Sequence, residues 1–208
     1  MRKTWRFAMS SETFKYADDT FRGTSKPNYA SGNYIASAAY TGGGLRVLIG
    51  GINSQNIQGM SGGWRRSFTL AAPTTLTISF RYRLTEQNTY ETDEYSQALF
   101  SLDSTLIGIP PTDYLAQVVG GGALSTGWHL AQFNLGTVAA GSHTITLGGF
   151  NNQKTYPDEF VEMFFDDVLL APFVPIPPSI TTQPANLTVT EPGAANFSVV
   201  ATGDAPLS

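Results

Sequence analysis

The chain is expected to fold as an all-β, antiparallel sandwich or barrel. Three observations predict this. Segments such as Thr75–Arg83 alternate strictly between apolar and polar residues, the signature of a half-buried strand. Charged residues make up only 13% of the 208, about half the ~25% of an average globular protein, so the Glu, Lys and Arg that build long amphipathic helices are scarce. Twenty-one glycines and twelve prolines punctuate the chain between runs rich in Thr, Ser, Val and Phe.

Taken in order, Phe14–Ala17 alternates briefly, Asp18–Thr24 reads as a turn, and Lys26–Tyr34 as an irregular stretch. Gly42–Gly44 is a break before a strand at Leu45–Ile49, and the Asn, Ser, Gln and Gly of residues 52–63 suggest a long loop. Leu76, Ile78, Phe80 and Tyr82 form the inward face of the next strand. Further strands are expected at Tyr95–Leu102, Tyr114–Val119, Trp128–Leu135, Gly141–Gly148 and Glu162–Leu170, with no convincing helix and no internal repeat. Trp64, Trp128, Phe80 and Phe100 are expected in the core, and the glycine pairs and triples at turns and bulges.

Composition changes at Ala171–Pro178, where four prolines fall within seven residues and make a stiff extended linker. The expected organisation is therefore a sandwich over 1–171, a proline-rich linker over 172–178 and a separate segment over 179–208. In that segment Asn186–Thr190 and Asn196–Ala201 alternate like strands. The run from Pro178 to Leu207 resembles the opening of bacterial immunoglobulin-like repeats. The resemblance implies an N-terminal fragment of such a domain, since the Tyr-x-Trp segment that should follow is missing.

A second resemblance covers about 150 residues. It is carried by Asp18-Asp19-Thr20-Phe21-Arg22-Gly23-Thr24, Met60–Phe68, Gly127-Trp128, Gly141–Gly149, Asn151–Tyr156 and Phe165-Asp166-Asp167-Val168. Together these resemble a bacterial extracellular jelly-roll module akin to carbohydrate-binding modules. The resemblance implies a jelly-roll sandwich, an extracellular or cell-surface setting, further domains in a parent chain, and a structural calcium held by the Asp166-Asp167 strand against the N-terminal segment. Asp18, Asp19, Arg22, Thr24 and Gly32 are the expected partners of Asp166 and Asp167. An alternative reading has the aspartates bonded to turn amides or to Arg22. Adjacent strand residues point to opposite faces, so one of the two must face inward or toward the sheet end.

The candidate ligand-binding residues are two acidic, tyrosine-bearing loops: Tyr90, Glu91, Asp93, Glu94 and Tyr95 in one, Asn151, Asn152, Lys154, Tyr156, Asp158 and Glu159 in the other. Aromatic faces stack on pyranose C–H groups while amides and carboxylates hold hydroxyls, which is the chemistry of a sugar site. The same residues are open to a bland reading as solvated loop charge, and to a catalytic one as a glycosidase acid and base. Arg65, Arg66, Arg81 and Arg83 form a candidate basic strip for an acidic glycan.

Several classes are excluded or disfavoured. A net charge of −4 argues against binding through phosphate neutralisation, so no nucleic-acid partner is expected. The absence of cysteine removes disulfides, thiolate metal sites and thiol nucleophiles. No apolar run approaches a membrane span, and Met1–Phe7 has no signal-peptide h-region. His129 and His143 lack the spacing of a metal pair, and no Gly-x-Ser-x-Gly elbow is present. The leading expectation is a non-catalytic module for a polysaccharide or cell-surface glycan. A glycan-active or metal-assisted hydrolase or lyase, and a structural spacer or adhesion domain, stand as alternatives.

Overall fold

In a computed structural model, residues 5–6, 13–37 and 39–203 are described. The chain divides into two compact units, Met1–Pro172 and Phe173–Ser208.

The first unit is a sandwich of two antiparallel sheets. One is built from β3 (Ala30–Ile35), β4 (Gly44–Gly50), β6 (Thr74–Glu86), β10 (His129–Val138) and β12 (Phe160–Pro172), in the order β10-β6-β12-β4-β3, with β1 (Trp5–Arg6) also paired to β12. The other runs β2 (Lys15–Asp18), β5 (Ile57–Leu70), β11 (Gly141–Lys154), β7 (Tyr95–Leu102) and β8 (Thr105–Leu106), with β9 (Ala116–Val119) on β7. From β4 to β7, and again from β10 to β12, each strand lies in the opposite sheet from the one before it, the jelly-roll arrangement.

Period-two alternation explains the core. Leu76, Ile78, Phe80, Tyr82 and Leu84 of β6 are all buried, while Arg81 and Arg83 between them point outward. Val161, Met163 and Phe165 of β12 and Leu45, Val47 and Ile49 of β4 face the same interior. There they meet Met60 and Trp64 of β5, Phe100 of β7, and Ile145 and Leu147 of β11. Phe80 and Phe100 join the two sheets edge to face at 5.3 Å.

Two stretches read as irregular are ordered strand. Residues 57–63, expected in a loop, form the first half of β5; residues 30–34, expected to be irregular, belong to β3. Gly62 and Gly63 are correspondingly not a turn. They pair with Gly149 and Gly148 in mid-sheet. A Cβ on Gly148 would lie 2.1 Å from the Gly62 carbonyl oxygen, and one on Gly62 2.2 Å from the Tyr16 hydroxyl, so these positions exclude side chains by close approach.

In the second unit β13 (Ser179–Thr182) pairs antiparallel with β14 (Val200–Thr202). The alternating run 186–190, expected as a strand, has no strand partner, and the expected strand over 196–201 is represented only from Val200. Leu187, Val189, Phe197 and Val199 are exposed. An alternating pattern without an opposing apolar layer gains nothing from ordering its backbone.

Candidate functional site

The outward face of the β10-β6-β12-β4-β3 sheet carries a group of aromatic and cationic side chains in which Phe164 is buried, Trp128 half-buried and Tyr40 exposed. Phe164 of β12 is in register with Arg83 of β6 on one side and Arg46 of β4 on the other; Asn33 of β3 follows. Trp128, just before β10, packs its ring at 6.4 Å from that of Phe164. The Arg83 guanidinium lies 5.1 Å from the Trp128 centroid and 4.9 Å from that of Phe164. Arg83 has no ion pair among the described residues, and its Nε finds no acceptor.

One register step along, Tyr40 extends the platform. Its ring meets Trp128 edge-on at 5.7 Å, and the Arg81 guanidinium stacks 3.8 Å from its centroid. Tyr40 remains 45% exposed, and Leu130, in register with Arg81, 50%. Toward the opposite edge of the face, a groove of about 340 Å³ is lined by Asn28, Tyr29, Ser31, Arg46, Leu48 and Phe160. Arg46 holds Glu162 at the groove wall in an ion pair. Aromatic surface, guanidinium donors, amides and a paired carboxylate thus share one open sheet face.

Asp166 and Asp167 hold this face in shape. The register slips between Asp166 and Leu169, and Asp167 adopts a left-handed conformation at φ 53°, which a short polar side chain tolerates. Asp166 Oδ2 accepts the Thr41 amide at 2.8 Å and the Thr41 hydroxyl; its Oδ1 accepts the Asp167 amide at 2.7 Å. Asp167 faces Arg81 at 3.5 Å. The pair therefore ties down the segment that presents Tyr40.

Most other residues of the expected calcium set have partners elsewhere, whereas Asp18 Oδ1 is buried without one. Asp18 and Asp19 lie at the end of β2, in the opposite sheet from Asp166. Asp19 Oδ1 accepts the Thr24 hydroxyl (2.8 Å) and the Lys26 amide (2.9 Å). Arg22 forks onto Asp113, whose carboxyl it holds below the usual range. Gly32 gives way to the Tyr16 ring, 2.1 Å from where a Cβ would stand. Among the described residues, Asp18, Asp19, Asp166 and Asp167 form no group of three carboxylates within ligating reach of one another. As side chains alone, these aspartates do not converge on one point.

The expected loop residues do come together, but mostly inward. Tyr90, Glu94, Asn151, Lys154 and Glu159 are buried; Tyr95 is half-buried against Phe150, and Asn152 ties its amide at 2.6 Å. Glu91, Asp93, Asp158 and Tyr156 are exposed. Glu91, Glu94 and Glu159 offer carboxylate oxygens within 4.8 Å of one another. Behind them Asn151 donates to Ser96 (2.9 Å) and Ser96 to Glu86 (2.8 Å). Lys154 directs its ammonium away, to the carbonyls of Asn53 (2.6 Å) and Gln55 (2.8 Å).

Burial pushes the Glu86 carboxyl up to about 7, against the opposing hydrogen bond from Ser96, and burial likewise raises Glu94. An acid with a raised native pKa binds more protons folded than unfolded between its two values, so stability falls as pH rises across that window. In metal-free buffer the melting temperature is expected to decline between about pH 4.5 and 7. Glu86→Gln should flatten that decline in a pH series of thermal melts; an unchanged slope would count against Glu86 as its source.

Sequence reasoning also expected Trp128 in the core and Arg65, Arg66, Arg81 and Arg83 in one strip. Trp128 instead lies half-buried on the outer sheet face. Arg65 and Arg66 belong to β5 in the other sheet, so only Arg81 and Arg83 share a face. Trp128 directly follows Gly127, a left-handed glycine at φ 68°, a turn signal that could have separated it from the inward-facing residues of β10.

No family model matches the chain, and no curated protein matches it. Among solved structures, it is similar to TmCBM61 in complex with β-1,4-galactotriose, with 12% identity over 79% of this chain and 91% of that one and a TM-score of 0.42. It is also similar to the K1 cleaved adhesin domain of Lys-gingipain from Porphyromonas gingivalis W83, with 11% identity over 84% and 99% of the two chains and a TM-score of 0.43. A third is the CBM22-1 xylan-binding domain of Paenibacillus barcinonensis Xyn10C, with 12% identity over 82% and 92% and a TM-score of 0.39. At such identities the likeness concerns the fold alone.

Proposed function

We propose that the first unit is a non-catalytic glycan-binding module and that the outer face of the β10-β6-β12-β4-β3 sheet receives the polysaccharide. The observation that carries this reading is the platform of Trp128 and Tyr40 beside the buried Phe164, interleaved with Arg81 and Arg83, open to solvent at Tyr40 and on the same sheet face as a groove lined by Arg46 and Leu48. Ring faces provide flat apolar area for sugar C–H groups, and an Arg83 without an ion pair keeps donors for hydroxyls or a uronate. A hydrolase would need two carboxyls facing each other across an accessible cleft. Glu94 and Glu159 are closed off from solvent, which favours binding over turnover. Such a ligand goes with a setting outside the cell or on its surface.

The test is a glycan array of neutral and acidic polysaccharides probed with the full chain, with binders confirmed by calorimetry. Retention of one polysaccharide class without release of reducing ends is the expected result. No binding at millimolar oligosaccharide would leave the spacer reading in its place.

A further inference from the structure

The carboxylates of Glu91, Glu94 and Glu159 converge from two loops that flank the sheet ends, and this convergence has no cationic partner. None of the three takes part in an ion pair among the described residues, and the buried ammonium beside them, on Lys154, bonds to carbonyls instead. Bringing two buried carboxylates and one exposed one within 4.8 Å of each other is costly unless a cation or a shared proton offsets their repulsion.

A separate set of atoms behind the cluster points the same way. Glu94 Oε1, Glu86 Oε2, Asn151 Oδ1 and the Tyr90 hydroxyl are all buried without a hydrogen-bond partner. Glu94 and Asn151 have no exposed surface at all, and Tyr90 is 3% exposed. The Tyr90 hydroxyl lies on the Glu159 side of the cluster: the point where a Gly50 Cβ would stand is 3.3 Å from that hydroxyl and 2.4 Å from the Glu159 carbonyl oxygen. Buried polar atoms in folded proteins are satisfied with few exceptions, and an ion held by Glu94 Oε1 with one of its orphaned neighbours would remove part of this deficit.

We infer that Glu91, Glu94 and Glu159 bind a calcium ion, with Asn151 Oδ1 or the Tyr90 hydroxyl as an additional oxygen donor. Every group on offer is a hard oxygen, with no nitrogen or sulfur ligand to favour zinc or copper. Carboxylates on two separate loops suit the flexible, high coordination number of calcium better than the rigid octahedron of magnesium. The backbone already fixes two of the three. The Glu91 amide donates to Glu94 Oε2 at 3.0 Å, and the amides of Thr155 and Tyr156 both donate to Glu159 Oε2. That leaves Glu94 Oε1 without a partner, and Glu159 Oε1 with only the Thr155 hydroxyl at 3.3 Å, for the ion. Glu91 is exposed and provides the entry path. The ion pins the Tyr90–Tyr95 loop to the Thr155–Glu159 loop.

The experiment compares the full chain after EDTA treatment and dialysis with the same protein titrated with calcium chloride. Binding to the native state alone should raise the melting temperature by about 5–10 °C at a calcium concentration ~100-fold above Kd. Terbium should bind the same protein and give luminescence sensitised by the neighbouring tyrosines, displaced by calcium. Glu91→Gln, on the surface, should fold with a melting temperature in EDTA at or above that of the wild type, because one charge of the cluster is gone, and lose at least tenfold in calcium affinity. Glu94→Gln should abolish the calcium response. Asp167→Asn should keep it. A calcium response that survives Glu91→Gln and Glu94→Gln, or that vanishes with Asp167→Asn alone, overturns the assignment, as does the absence of any response in the wild type.

Discussion

Gly148→Ala is expected to lower the melting temperature by about 6–12 °C. One methyl group causes this because of where the glycine stands. β11 is an interior strand, paired with β5 on one side and β7 on the other. A Cβ at residue 148 would approach the Gly62 carbonyl oxygen to 2.1 Å and the Gly63 Cα to 2.5 Å. Both obstacles are backbone, so no side chain can rotate away, and β5 is itself held by β2 beyond it. Overpacking a tight interior costs ~1–3 kcal/mol, and a backbone collision belongs at the upper end of that range. For a domain of this size each kcal/mol moves the midpoint by about 2–4 °C. Gly127→Ala is the control. That glycine has φ 68° and open space for 4 Å around the place a Cβ would take, so it bears only the left-handed penalty of ~1–2 kcal/mol. Thermal melts of the two variants should rank Gly148→Ala as clearly worse. Equal midpoints would mean that the β5–β11 spacing relaxes at little cost.

The same glycines show where the sequence is opaque. β6 is legible because Leu76 to Leu84 alternate without a break, and one apolar face against water is all that a period-two pattern needs. β5 is not legible over its first half. There Gly59, Ser61, Gly62 and Gly63 lack the side chains that would report a period, although the strand needs smallness for the passage of Tyr16 and the close approach of β11. Composition says loop, and tertiary contact says strand. A similar inversion affects the site. Glu91, Glu94 and Glu159 are recognisable as a group of polar loop residues, and the pattern of acids beside tyrosines does mark a neighbourhood. Whether such residues face water or each other depends on the loop path, which carries no periodicity. Asn151 and Lys154 could have warned of burial, since both lie on β11, one a paired position beside Ser96 and the other at the strand's end. The sheet-face platform was hidden for the opposite reason. Trp128 and Phe164 are large and apolar, and a sequence pattern assigns such residues to the interior. Only the register that places Phe164 opposite Arg83 and Arg46, two outward arginines, shows that its side chain is on the other face.

Trp128→Ala is expected to reduce glycan affinity by about 30-fold or more while leaving the module folded. Aromatic anchors at the centre of a contact patch typically account for ~2 kcal/mol or more each, and 1.4 kcal/mol is a factor of ten. Trp128 occupies that central position. It touches Tyr40, Phe164 and Arg83, so its removal strips the apolar floor, releases the Tyr40 ring that leans on it, and frees the Arg83 guanidinium to turn into solvent. Its cost to stability is modest because Trp128 lies outside the cluster of buried side chains between the sheets. Tyr40→Ala should have a smaller effect, about tenfold, since the Tyr40 ring is 45% exposed and contacts the platform at its edge. Tyr156→Ala separates this face from the loops, because Tyr156 is exposed next to the Glu159 cluster and not on the sheet. Affinity measured by calorimetry, with melts recorded on the same preparations, distinguishes the two locations. If Trp128→Ala binds as wild type and Tyr156→Ala does not, the glycan sits over the acidic loops and the sheet face is not the receptor surface.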